Sequence, residues 1–273
     1  MRALGYLEGS RYLLVERYAD ERLEQLPPLA AELIRLKCDV IVTEAVGPTR
    51  AVQHATGTIP IVFITGDPVA YGFVHSLARP GGNLTGVANL SLELYPKRIE
   101  VLKETLPALR RLAVLAGPTV RPNVLMKSVQ DAARLQRIEA LSPIFISRPE
   151  ELDGAFAQAV RGRADGMLVT PNPFFNAQRD RLVSLAAHHR LPTLYEFRDF
   201  VEAGGLMCYG ADMADVYYHI AKYVDRILKG AKPADLPVEQ PTKFELIINM
   251  KTAKALGLTI PQSVLVRADH VIE

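Results

Sequence analysis

Apolar positions along this chain follow two rhythms: short unbroken runs, and longer stretches in which they recur every third or fourth residue. The densest run holds Ile59, Ile61, Val62, Phe63 and Ile64, the pattern of a parallel strand buried on both faces. It stops at Thr65-Gly66-Asp67-Pro68. Gly66 permits tight backbone geometry, Asp67 can cap and Pro68 suits a first helical position, so a short helix is predicted at the strand's carboxyl end. Arg79-Pro80-Gly81-Gly82-Asn83 ends that helix, and residues 84–88 make the next strand. In open parallel sheets, ligands bind at such carboxyl edges.

The same alternation extends over the rest of the chain. Residues 12–18, YLLVERY, read as a strand. Residues 23–36 read as an amphipathic helix with Pro27 and Pro28 in its first turn. A buried strand over 39–43 ends in Glu44-Ala45-Val46-Gly47-Pro48-Thr49, which turns into a helix reaching about Ala55. Leu94, Ile99, Leu102 and Leu106 recur at helical spacing within 91–106. Then come a strand over 112–116 with its end loop Gly117-Pro118-Thr119, a helix over 123–135, a short strand over 143–146, a helix over 150–160 and a strand over 166–170. After the loop 171–176, strands are predicted at 191–195 and 205–209 and a helix at 213–228. A polar, Pro-rich connector fills 229–241, and the segment 244–248 leads to a short helix over 251–256 that Gly257 ends. Strands alternating with helices predict an α/β chain with parallel sheets.

Composition narrows the function classes. The 273 residues are 49% hydrophobic and 23% charged, enough for one large or two modest cores. The 32 basic and 30 acidic residues are mixed along the chain, giving a formal charge of +2. Without a Lys/Arg stripe, nucleic acid is not an expected partner. No apolar run approaches the ~20 residues of a membrane helix. The opening MRALGYLEGSRY lacks the apolar stretch of a signal peptide.

Chemistry-bearing motifs are sparse. Apart from His188-His189 the histidines are scattered, with no HExxH or Cys/His cluster, so no metal site is expected. GGNLTG precedes a strand instead of following one, which removes the geometry of a dinucleotide cradle. No P-loop or GxSxG elbow occurs. No cofactor and no catalytic residue are expected. Cys38 and Cys208 read as two buried thiols. The alternative makes them the acid and base of a two-lobed racemase, but neither sits at a turn that would stabilise a thiolate.

Several ordered stretches carry a resemblance. DPVAYGFVHSLARPGGNLTGV with KRIEVLKETLP after it, YEFRDFVEAGGLMCYG at 195–210, ILKGAKPADLPVEQPTKFELIINMKTAKALGL at 227–258 and the closing RADHVIE resemble the ABC-transporter substrate-binding proteins, whose members include tryptophan- and tyrosine-binding examples. The resemblance implies a type I periplasmic-binding-protein fold: two Rossmann-like lobes with parallel sheets, joined by a hinge that closes on a small ligand. It also implies a periplasmic or cell-envelope location and an ABC permease in the membrane as partner. The lobes would be 1–91 with 211–240, and 92–210 with 241–273. Because MRALGYLEGSRY resembles the end of the family's first helix and its exit loop, the first lobe is expected to lack its first strand. Pairing of 12–18 with 39–43, or with another chain as a dimer, would close that gap.

The candidate ligand contacts lie in strand-end loops. In the first lobe they are Val46, Gly47, Thr49, Gly66, Asp67 and Asn89. In the second, Pro118 follows one strand, and Asn172 offers an amide donor and acceptor to a zwitterion or carboxylate. Phe174 and Phe175 either stack on a planar ligand, where an aromatic pair gains about 0.5–1.5 kcal/mol beyond area burial, or pack against the following helix. Tyr195 and Tyr209 can line a pocket with their hydroxyls orienting the ligand, beside Gly210. Glu196 is read as the receiver of an ammonium group, or else as a solvated cap or one half of a hinge ion pair. The known members and these aromatics, with Phe197, favour an aromatic amino acid or aromatic carboxylate. A small-molecule sensor module of similar fold is the third reading.

Overall fold

The computed structural model describes residues 1–20, 22–89, 93–118 and 122–273. Pro27 and Pro28 open α1 (Leu26–Arg35), where their missing N–H groups leave no bond unmade. β1 (Ile41–Glu44), α2 (Val46–Ala55), β2 (Ile61–Thr65) and β3 (Leu84–Ala88) follow. Next come α3 (Tyr95–Thr105), β4 (Arg111–Ala116), α4 (Pro122–Leu135), β5 (Glu139–Ala140), β6 (Ile144–Phe145), α5 (Leu152–Arg161) and β7 (Gly166–Val169). After these lie α6 (Pro173–Ala177), α7 (Arg179–His188), β8 (Thr193–Tyr195), α8 (Arg198–Glu202) and β9 (Met207–Ala211). Asp212 caps α9 (Met213–Leu228) by accepting from the N–H groups of Ala214 and Asp215. β10 (Phe244–Asn249), α10 (Met250–Leu256), α11 (Gln262–Leu265) and β11 (His270–Ile272) complete the chain. The start of the helix expected at 91–106, and Thr119 of the predicted loop 117–119, lie outside the described residues.

The chain divides into two units, Met1–Leu90 with Asp212–Lys243, and Ser91–Ala211 with Phe244–Glu273. In unit 1 the strands pair in the order β1-β2-β3, all parallel. Every residue of β2 and β3 is buried, as in strands of a covered parallel sheet. α9 lies against both strands. The connector after α9 covers the far edge of β3: the Thr85 hydroxyl donates to the Leu236 carbonyl at 2.7 Å, and the Ala88 N–H to the Glu239 carbonyl at 2.8 Å.

Two expectations fail in this unit. Residues 12–18 form no strand and no ladder with β1. Their guanidinium anchor, Arg17, reaches Glu32 on α1 at 2.6 Å, and Leu13 stays 79% exposed. A β-prone stretch that finds no neighbouring strand to accept its hydrogen bonds forms no rung. The helix predicted after Pro68 is only a set of turns. Asp67 does cap it, accepting from the Ala70 N–H at 2.9 Å, but Gly72 at φ 69° diverts the chain after one turn.

Unit 2 orders its strands β11-β10-β9-β8-β7-β4-β5, with β6 also on β4. Side chains of β4 alternate between two cores. Leu112 and Val114 meet α3 and α4 through Leu102 and Val129, whereas Ala113 and Leu115 share a core with Phe156 of α5 and Leu182 of α7. Helices on both faces are what a mostly parallel sheet demands. The expected all-parallel sheet is broken at one place. β9 and β10 are antiparallel, pairing Ala211 with Phe244, because the chain leaves unit 2 at the end of β9 and re-enters it at the start of β10.

Asn249 shows how tightly unit 2 is closed. Its side chain is buried, caps α10 by accepting from the Thr252 N–H at 3.1 Å and donates to the Val201 carbonyl at 3.3 Å. Asn249→Ala is therefore expected to cost about 1–2 kcal/mol, seen as a melting midpoint lowered by about 2–8 °C. An unchanged midpoint would mean that the cap contributes nothing.

Candidate functional site

Each unit presents its own set of groups at the carboxyl ends of its parallel strands. In unit 1 the exit from β1 is strained: Ala45 sits at φ 72°, ψ 167°, a region that L residues rarely adopt and that costs about 1–3 kcal/mol. Hydrogen bonds hold it there. Its N–H donates to the Ile64 carbonyl at 2.8 Å, and its own carbonyl accepts the Thr49 hydroxyl at 2.7 Å. That hydroxyl also meets Thr43 Oγ1 at 2.9 Å. Thr49 is thus buried and locks the turn, while Val46 and Gly47 become the first turn of α2.

At the ends of β2 and β3, the Asn89 N–H donates to the Thr65 carbonyl at 2.8 Å. Thr65 Oγ1 and Asn89 Oδ1 are both buried atoms with no hydrogen-bond partner among the described residues. A Cβ on Gly66 would lie 3.8 Å from that Asn89 oxygen. Asp67 points into solvent, where its carboxylate serves the Ala70 turn.

In unit 2, Gly117 follows β4 and leaves room for Asn172, since a Cβ there would come within 2.4 Å of the amide nitrogen. Asn172 Oδ1 accepts from the Phe174 N–H at 3.0 Å, so the expected loop 171–176 is instead capped into α6, with Pro173 at its first position. Thr170 Oγ1, just past β7, and Asn176 Oδ1 have no hydrogen-bond partner among the described residues. Pro118 is exposed.

The aromatic residues of this unit divide. Phe175 and Tyr195 have no accessible surface: Phe175 packs in the α5/α7 core, and Tyr195 stacks on Phe200 at 4.6 Å with burial pushing its phenol pKa up. Neither offers a face on which a ligand could stack. Phe174 is nearly as buried, tilted against Phe175 at 5.3 Å. Tyr209 is only half-buried, its ring 6.3 Å from that of Phe244. Glu196 is buried and paired with Arg98 at 2.9 Å, which is the ion-pair reading of that residue. Gly210 presses on it; a Cβ would stand 2.3 Å from the Glu196 carbonyl oxygen.

Cys208 is buried in β9 and burial pushes its thiol pKa up, the reverse of what a paired acid and base need, while Cys38 is half-buried in the other unit. Among the described residues no group of three His, Cys, Asp or Glu side chains could hold a metal ion, and no helix is long and apolar enough to cross a membrane. No sequence motif marks Thr43, Thr65, Thr170 or Arg98. The threonines had a signal: DVIVT, IVFIT and GMLVT each close a buried apolar run with a hydroxyl. Arg98, between Lys97 and Glu100, carries no such signal.

Comparison with known proteins finds likeness over the whole chain. The model of the family described as ABC transporter substrate binding protein matches residues 1–272. A tyrosine-binding protein of Clostridioides difficile is 26% identical over 257 residues, which make up 93% of this chain and 73% of that one. The crystal structure of a conserved domain protein from Vibrio cholerae superposes with a TM-score of 0.91 at 28% identity, over 99% of this chain and 90% of the other. The structure of an ABC domain in complex with L-Trp from Streptococcus pneumonia gives 0.90 at 23% identity, over 99% and 91%, which speaks for the fold alone.

Proposed function

Since the chain belongs to the family of ABC transporter substrate-binding proteins and has the type I periplasmic-binding-protein fold, we propose that the small ligand it binds is an aromatic amino acid, L-tyrosine or L-tryptophan. Proteins of this family are extracellular or periplasmic and hand small ligands to ABC permeases, and this chain does the same outside the cytoplasmic membrane. The observation that supports the ligand class is the pair of buried oxygens at the strand ends of unit 1, the Thr65 hydroxyl and the Asn89 amide oxygen. A buried polar atom left without a partner costs about 1–3 kcal/mol. A zwitterion supplies what is missing: its ammonium donates to Asn89 Oδ1, and its carboxylate accepts from Thr65 and from the N–H groups at the start of α2, where the helix dipole favours an anion. Within unit 2, taken by itself, the half-buried Tyr209 ring offers a face on which an aromatic ligand can stack. The likeness to a tyrosine-binding protein agrees with this class.

Thermal shift against L-tyrosine, L-tryptophan, benzoate and L-alanine tests the assignment. A ligand at 100 times its dissociation constant adds about 2.7 kcal/mol, a midpoint rise of about 5–10 °C. Only the aromatic amino acids are expected to give it. Thr65→Val should leave the free chain's midpoint unchanged and weaken their binding about tenfold, the usual worth of a lost hydrogen bond to a charged group. Stabilisation by alanine equal to that by tyrosine, or a Thr65→Val chain that binds like the parent, would overturn the reading.

A further inference from the structure

We infer that the buried pair of Arg98 and Glu196 is a positioning device that fixes the end of β9 at Tyr209 and Gly210, together with the roots of the chain passages that leave unit 2 beside it. The ligand arm of this inference rests on the role proposed above for Tyr209; the structural arm does not.

The two residues are 1% and 4% exposed. Arg98, on α3, places Nη2 2.9 Å from Glu196 Oε1, while its Nε donates to the Tyr209 carbonyl at 2.9 Å. The ring of Tyr95, one turn earlier and itself buried, lies 5.6 Å from the guanidinium carbon. Gly210 is in direct contact with Glu196, where a Cβ would meet the carbonyl oxygen at 2.3 Å and Cγ at 2.9 Å. Across the antiparallel pair, Tyr209 and Gly210 face Leu246 and Glu245. Glu245 is held in turn by Arg198 at 2.9 Å, two residues past Glu196.

These contacts converge on a particular place in the chain. β9 ends at Ala211, where the chain leaves unit 2, and β10 begins at Phe244, where it returns. α3 is the first helix after its earlier entry. The Arg98 guanidinium, carried by α3, therefore holds the end of β9 directly and the start of β10 through its pairing with β9. Stability alone does not account for it, because a buried ion pair is matched or bettered by apolar side chains of similar volume. What an apolar pair cannot supply is the fork of the guanidinium, one edge on a carboxylate and the other on a backbone carbonyl.

The test separates the two roles with Arg98→Met, Glu196→Leu and the double variant. Each single change strands a buried charge and should lower the midpoint by about 10 °C. The double variant should return to within about 3 °C of the parent. Even so, its amides at 209–211 and 244–245 should exchange with solvent about tenfold faster, with those of β4 and β7 unchanged. Its affinity for L-tyrosine or L-tryptophan should fall by about tenfold. Parental exchange at 209–211 in a stable double variant would overturn the inference, leaving the pair a packing element. So would a double variant as unstable as the singles, since the pair would then hold the whole unit. If the parent binds neither amino acid, the ligand assignment falls and the exchange measurement still decides the role of the pair.

Discussion

Gly86→Ala is expected to unfold unit 1 at temperatures where the parent chain is intact. Gly86 lies in β3 at φ +151°, directly opposite Phe63 of β2. A Cβ there would stand 2.1 Å from the Phe63 carbonyl oxygen, 2.6 Å from its nitrogen and 2.9 Å from its carbonyl carbon. All three are backbone atoms, so no side-chain rotation relieves the collision. β2 is the central strand of the sheet β1-β2-β3, and the connector over β3 is fastened through neighbouring Thr85. Moving β3 away breaks both attachments. The change should cost more than about 3 kcal/mol, lowering the midpoint by more than about 6 °C. The loss should appear first as lost amide protection in β2 and β3. A Gly86→Ala chain melting within about 2 °C of the parent would show that the two strands can separate slightly without penalty.

Phe175→Ala is expected to act through stability and not through a stacking contact. Its ring has no accessible surface and packs with Phe174, Leu182 and Val183 in unit 2. Truncation leaves a cavity whose lining collapses only partly, a cost of about 3–5 kcal/mol for Phe to Ala, equivalent to a midpoint drop of about 10 °C. Phe175→Leu keeps most of the volume and should lose far less. The decisive comparison is ligand affinity of the folded Phe175→Leu chain, which should equal that of the parent. Affinity that falls while the midpoint holds would mean that the ring touches the ligand.

How much of this was legible beforehand depended on whether a feature is local. Buried runs such as those of β2, β3 and β4, and the helix opened by Asp212, are written in unbroken or helically spaced apolar residues. The stretch 12–18 has strand composition, yet a strand exists only where a neighbour accepts its hydrogen bonds, and no residue in it says whether one does. Gly72 ends the turn after Pro68 through a single left-handed residue that the capping signal before it does not foretell. Strand-end loops could be named from the parallel topology, but which side chain in each faces outward is settled by packing. Phe175 goes into the core because Asn172 and Pro173 start a helix where a loop was expected. Arg98 meets its carboxylate partner Glu196 at 2.9 Å only in three dimensions, since the two stand 98 positions apart in sequence. Charge patterning along α3 carried no trace of it.

The proposed ligand class is tested most directly by isothermal titration calorimetry of L-tyrosine, then L-tryptophan, into the parent chain. Saturable binding of one molecule per chain is expected for at least one of them, with a dissociation constant of about 1 μM or tighter, worth about 8 kcal/mol. No saturable heat from either amino acid up to about 1 mM, where binding is worth only about 4 kcal/mol, would contradict it.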